Sequence, residues 1–250
     1  MNRIAVVEDN PDNRLLVRVI LEPLYEVTEY ETGLAALEGL RRQKPDAVLL
    51  DISLPEMDGT EVLRRIRGDA ELKSLPVIAL TAHAMSGDRE KYLEAGFDDY
   101  VTKPIVDEAI LLEAIVKQLS ADQPKTAAAM KAPGELEAAL ERLHRLGGGK
   151  FVGEMIDLFL DYAAAKVAQA RRAQRAGDGA GVASAVHPIK SSAGNVGATQ
   201  VQELAAQIEL AAKTASGADL DRLVGELEMA FAEIKPRLEA EKETFASKKP

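Results

Sequence analysis

The chain has 250 residues, 46% hydrophobic but only 4% aromatic, which suits one large or two ordinary domains with aliphatic cores; without cysteine, disulfides and thiolate zinc sites are excluded. Net charge is −10: residues 1–120 hold 23 Asp/Glu against 14 Lys/Arg and the remainder 18 against 17, so no part is a basic nucleic-acid footprint, and an acidic domain suits a divalent cation better. The N-terminus MNRIAVVEDN lacks a basic segment followed by a long apolar one, and no apolar run reaches membrane-spanning length, so a cytoplasmic protein without membrane insertion is expected.

Residues 3–7 read as a strand. Asp9-Asn10-Pro11 then starts a helix, with a capping side chain and Pro early in the first turn, and Leu15, Leu16, Val19 and Ile20 form its apolar face. Tyr25 to Tyr30 is a short strand, and Gly33 to Gln43 a helix bearing Leu34, Leu37 and Leu40. Ala47-Val48-Leu49-Leu50 is too short an apolar run for a helix and suits a strand buried on both faces of a parallel sheet, ending at Asp51. Gly59 leads into a helix with Val62, Leu63 and Ile66. Pro76 to Leu80 is a strand, Ser86 to Ala95 a helix closed by Gly96, Phe97 to Thr102 a strand, and Asp107 to Leu119 a helix. Five βα units predict an α/β doubly wound parallel sheet of flavodoxin-like type over residues 1–120.

Residues 121–134 read as a linker with two prolines and no apolar periodicity. Beyond it no strand-like run occurs. Helices are expected at about 135–145, 150–176, 182–196, 199–215 and 219–242, with a frayed tail after Glu243. Short connections make consecutive helices antiparallel, so 135–250 is expected to form an all-α four-helix bundle.

Ligands bind beyond the carboxyl ends of the strands in open α/β sheets. Glu8-Asp9, Asp51, Thr81 and Lys103-Pro104 all follow apolar strand runs, so parallel pairing would aim an acid pair, a carboxylate, a hydroxyl and an ammonium into one crevice. Singly, each has an ordinary reading, such as Asp9 capping the first helix; together, in this order and with Ala82 and Tyr100, they make residues 1–120 resemble the receiver domain of a two-component response regulator. The resemblance implies that Asp51 accepts a phosphoryl group from a sensor histidine kinase. It also implies that Glu8, Asp9, Asp51 and the Ser53 carbonyl hold Mg²⁺, a hard cation preferring oxygen ligands. Lys103 and Thr81 would contact phosphoryl oxygens, Lys103-Pro104 would be a cis peptide, and Thr81 and Tyr100 would form a switch. His83, in the loop after Thr81, is expected to be an exposed loop residue.

The second signal is Ala185 to Ala198, AVHPIKSSAGNVGA. An exposed, neutral His is a nitrogen nucleophile, and helical spacing puts Lys190 and Ser191 on the face of His187. His187, Lys190, Ser191-Ser192-Ala193, Gly197 and Ala198 resemble the pattern of a histidine phosphotransfer (HPt) domain. That implies phosphoryl relay by His187 to or from an upstream or downstream receiver-domain protein, with Lys190 compensating charge and Gln207 near the site. Two residues depart from the pattern: Ser191 stands where glycine is commonest and adds bulk facing the partner, and Pro188 removes a hydrogen bond to Ser184 and is expected to kink the helix. His144 reads as a solvated helix residue.

The two resemblances together imply a phosphorelay protein with no ATP-binding kinase domain. A flexible linker of about 15 residues spans roughly 20 Å, so transfer from Asp51 to His187 within one chain is within reach, as is transfer between chains. The alternative is a regulatory module in which phosphorylation of Asp51 gates access to His187 or to a partner without internal transfer.

Overall fold

The computed structural model describes residues 1–82, 88–119, 136–212 and 217–248. His83 and the linker 121–134 lie outside these residues. The chain divides into two compact units, whose described parts are residues 1–119 and 136–248.

The first unit alternates strands and helices: β1 (Arg3–Val7), α1 (Pro11–Leu21), β2 (Glu26–Tyr30), α2 (Gly33–Arg42), β3 (Ala47–Asp51), α3 (Gly59–Gly68), β4 (Val77–Thr81), α4 (Asp88–Glu94), β5 (Asp99–Thr102) and α5 (Glu108–Leu119). The strands form one parallel sheet in the order β2-β1-β3-β4-β5, the flavodoxin-like topology. Burial follows composition. Every residue of β3 (AVLLD) and β4 (VIALT) is buried, as befits strands covered on both faces, whereas the edge strands EVTEY and DYVT are only partly so. Helix starts are set by short polar side chains. The cap of α1 is Asn10, which accepts from the N–H of Asp12 and Asn13; Asp9 is therefore not the cap and faces the strand ends instead.

The second unit contains α6 (Leu136–Arg175), α7 (Gly179–Asn195), α8 (Thr199–Ala211) and α9 (Gly217–Ser247). Contacts α6·α7, α7·α8, α8·α9 and α6·α9 close the ring of a four-helix bundle. Its core is aliphatic with a few aromatic rings, including Val152, Phe159, Val186, Ile189, Ile208 and Val224.

Several local expectations are corrected here. The two helices expected at 135–145 and 150–176 are both present: α6 consists of two helical segments that meet at a kink at Gly148, whose φ 70° and ψ −173° are not helical. That left-handed φ is open to glycine at little steric cost. The tail after Glu243 is not frayed: α9 continues to Ser247 because the Phe245 ring, 3% exposed, packs 5.6 Å from the His144 ring. His144 is correspondingly half-buried rather than solvated, its Nε2 enclosed without a hydrogen-bond partner among the described residues. At Pro188, α7 runs on as one helix from Gly179 to Asn195. Ser184, whose carbonyl lacks its helical donor there, is exposed, so that carbonyl is not left in an apolar interior.

Candidate functional site

The register of the sheet assembles the first site. Val7 lies opposite Leu50, Asp51 opposite Leu80, and Thr81 opposite Thr102. Glu8-Asp9, Asp51, Thr81 and Lys103 therefore share the carboxyl edge of the sheet, and β1 and β3 lie at the point where the strand order reverses. Asp51 ends a fully buried strand, and α3 starts immediately against it. A Cβ on Gly59 would lie 2.3 Å from the Asp51 carbonyl oxygen, so only glycine permits this approach; its N–H donates to the Ile52 carbonyl at 2.9 Å.

Lys103 is the hub. Its Nζ lies 2.9 Å from Asp51 Oδ2 and 3.0 Å from Glu8 Oε2, with all three side chains at most 4% exposed. The Lys103–Pro104 peptide is cis. Burial pulls the ammonium pKa down, but Asp51 and Glu8 outweigh it and leave the pKa above its ordinary value. Glu8 is further held by Asn13 Nδ2 (3.2 Å) and the Asn10 N–H (3.3 Å) on Oε1. Burial, then the charges of Asp51 and Asp9, push its pKa above the ordinary carboxylate range against the opposing pull of Lys103. Glu8, Asp9 and Asp51 each offer an oxygen, all within 4.8 Å of one another. This crowded, all-oxygen set carries more negative charge than one ammonium balances, which is the donor chemistry of a hard divalent cation. Ser53 donates its N–H to Asp51 Oδ1 at 3.1 Å, tucking the loop after β3 over the carboxylate. Thr81 is buried and lies 2.7 Å, oxygen to oxygen, from the hydroxyl of Tyr92 on α4; the Tyr92 ring stacks on half-buried Tyr100 at 6.3 Å. Tyr92 escaped the sequence reading.

The second site joins α7 to α8. His187 Nδ1 is 2.8 Å from Glu209 Oε1, and Lys190 Nζ is 2.8 Å from Glu209 Oε2. Burial raises the Glu209 pKa, but the bonds from His187 and Lys190 prevail and hold it down at about 2, so this carboxylate is anionic and only accepts. An accepting carboxylate at Nδ1 places the proton of a neutral imidazole there and leaves the lone pair on Nε2. Glu209 was not anticipated: Gln207 was the residue expected near the site, and it is exposed two positions away. Glu209 lies one turn beyond buried Ala205, a placement set by how α8 packs on α7. Ser191 is a correction as well. It is 3% exposed and its hydroxyl donates to the Pro188 carbonyl at 3.3 Å, so its bulk turns inward rather than toward a partner.

Comparison with known proteins accords with this architecture. The model of the response regulator receiver domain matches residues 4–116. The polar-differentiation response regulator DivK of Brucella anthropi is 44% identical over 103 residues, which cover 41% of this chain and 84% of DivK. The chain belongs to the response regulator receiver family. The Hpt domain model matches residues 154–236 of the same chain. Sensor protein GacS of Pseudomonas syringae pv. syringae is 42% identical over 119 residues, 46% of this chain but only 13% of GacS. The receiver domain of a Pseudomonas aeruginosa sensor histidine kinase, solved with a magnesium ion coordinated in its active-site cleft, is 39% identical, covering 47% of this chain and 97% of that one with a TM-score of 0.44. A receiver and an Hpt domain on one chain make this a two-component phosphorelay protein. No described helix is long and apolar enough to cross a membrane.

Proposed function

We propose that Asp51 accepts a phosphoryl group from the phosphohistidine of a sensor histidine kinase, and that His187 relays phosphoryl to or from a receiver aspartate. What supports this reading is the pairing, on one chain, of a strand-end carboxylate bound at 2.9 Å to a buried lysine with a histidine held through Nδ1 by a carboxylate. An oxygen of Asp51 attacks phosphorus; the O–P bond forms as the P–N bond breaks, and its electron pair returns to the kinase imidazole. Lys103 compensates charge on the phosphoryl oxygens, and Thr81 donates its hydroxyl to one of them. Glu8, Asp9, Asp51 and the Ser53 carbonyl would hold Mg²⁺, which when bound supplies further positive charge to those oxygens.

In the relay step, Nε2 of His187 attacks an aspartyl phosphate, forming P–N as O–P breaks and releasing the carboxylate. Glu209 keeps the proton on Nδ1 and stabilises the imidazole as it gains positive charge. Lys190, one helical turn on and held by the second oxygen of Glu209, adds positive charge near the transferred group.

Labelling of the full chain with radioactive acetyl phosphate and Mg²⁺ tests the proposal, in wild type, Asp51→Asn and His187→Gln. Acid-labile, base-stable label that disappears with either substitution supports relay from Asp51 to His187. Label that survives Asp51→Asn removes Asp51 as the acceptor. Base-labile label unchanged by His187→Gln removes the internal relay.

A further inference from the structure

Tyr92 occupies a position that the functional reading above leaves unused. Its hydroxyl lies 2.7 Å from Thr81 Oγ1, and both residues are buried, Thr81 at 1% and Tyr92 at 8% exposure. The ring is fixed on two sides. Phe97 meets it edge-on at 6.1 Å and 87°, and Tyr100 stacks on it at 6.3 Å and 28°. The backbone fixes it too. The Phe97 N–H donates to the Tyr92 carbonyl and the Gly96 N–H to that of Leu93, a helix-ending pair of bonds that Gly96 permits at φ 100°. Tyr92 is thus a rigid post carrying one polar atom, and that atom meets the hydroxyl assigned to the phosphoryl group.

We infer that Tyr92 is a positioning residue that holds the Thr81 hydroxyl in its resting place and is released when Thr81 turns to a phosphoryl oxygen on Asp51. The inference rests on the proposed role of Thr81. The bond exists only while Thr81 rests on α4, so it favours the unphosphorylated state and opposes acyl-phosphate formation by the net worth of one hydrogen bond. Breaking it leaves the Tyr92 hydroxyl without this partner while the ring keeps its stack on Tyr100, so occupancy of Asp51 is felt where α4 meets β5.

The test measures beryllium fluoride affinity, in the presence of Mg²⁺, of the full chain and of Tyr92→Phe, Thr81→Val and the double variant. Phenylalanine keeps the ring contacts and deletes only the hydroxyl. Tyr92→Phe is expected to bind beryllium fluoride roughly three- to tenfold more tightly, the range of one net hydrogen bond, and to have no effect in the Thr81→Val background. Equal affinity of Tyr92→Phe and wild type, or tighter binding that persists without the Thr81 hydroxyl, overturns the inference. Thr81→Val binding as tightly as wild type overturns instead the assignment of Thr81 to the phosphoryl group. Urea unfolding of each variant separates loss of fold from loss of the bond.

Discussion

Glu209 on α8 holds His187 on α7 through Nδ1 at 2.8 Å, joining two helices across 22 residues of sequence. The contact decides which imidazole nitrogen carries the lone pair, and a second oxygen of the same carboxylate anchors Lys190. Glu209→Ala is therefore expected to slow phosphoryl transfer between His187 and a receiver domain roughly 10- to 100-fold, the range of a charge-assisted hydrogen bond. Nitrogen chemical shifts of the His187 ring check the cause directly: the wild type should show the Nδ1–H tautomer, and Glu209→Ala a mixture.

The same carboxylate predicts an acid sensitivity. Its folded pKa of about 2 lies below the ordinary 4.5, so the unfolded chain takes up the proton first. The stabilisation from Glu209 is fully present above about pH 4.5 and is lost as pH falls toward 2. Urea unfolding of wild type and Glu209→Gln should show a stability difference at pH 6 that shrinks steadily below pH 4.5.

Lys103 neutralises two buried carboxylates at once. Lys103→Met leaves Glu8 and Asp51 facing each other without it and is expected to destabilise the first unit by about 3–5 kcal/mol, as for a broken buried ion pair. Calorimetry should show the loss confined to one of two transitions, with added Mg²⁺ recovering part of it.

Gly59→Ala puts a methyl group 2.3 Å from the Asp51 carbonyl oxygen. Relief requires α3 or the end of β3 to shift, at a cost of about 1–3 kcal/mol. Because the end of β3 carries Asp51, the proposed acceptor, the variant should also label more slowly with acetyl phosphate at a temperature where it remains folded.

Where the sequence was legible, the structure is dictated by short-range chemistry. The run Ala47 to Leu50 is fully buried and central in the sheet, and Glu8-Asp9, Asp51, Thr81 and Lys103 follow strands whose parallel register carries them to one edge. Tyr92 and Glu209 were illegible for a common reason. Each gains its partner only when a helix packs against a neighbouring element, and helical spacing alone cannot tell a half-buried polar position from a solvated one. Ser191 illustrates the limit from the other side: four residues beyond His187 it shares the helical face nominally, yet the rotation of α7 in the bundle turns it inward. Phe245 shows how one aromatic side chain extends a helix that composition alone would end early.

Before the kink at Gly148, the first turns of α6 meet the last turn of α9. His144 packs on Phe245, Lys248 pairs with Glu141, and its ammonium also lies 4.2 Å from the centre of the Phe245 ring. In mechanical terms this is a clasp at the mouth of the bundle. Tension applied between its first and last described residues opens these contacts one after another, as in a zipper, instead of shearing the whole core at once. The buried Arg142 of the same turns donates to the Asn195 carbonyl at 3.2 Å, which ties this clasp to the end of α7, the helix that carries His187.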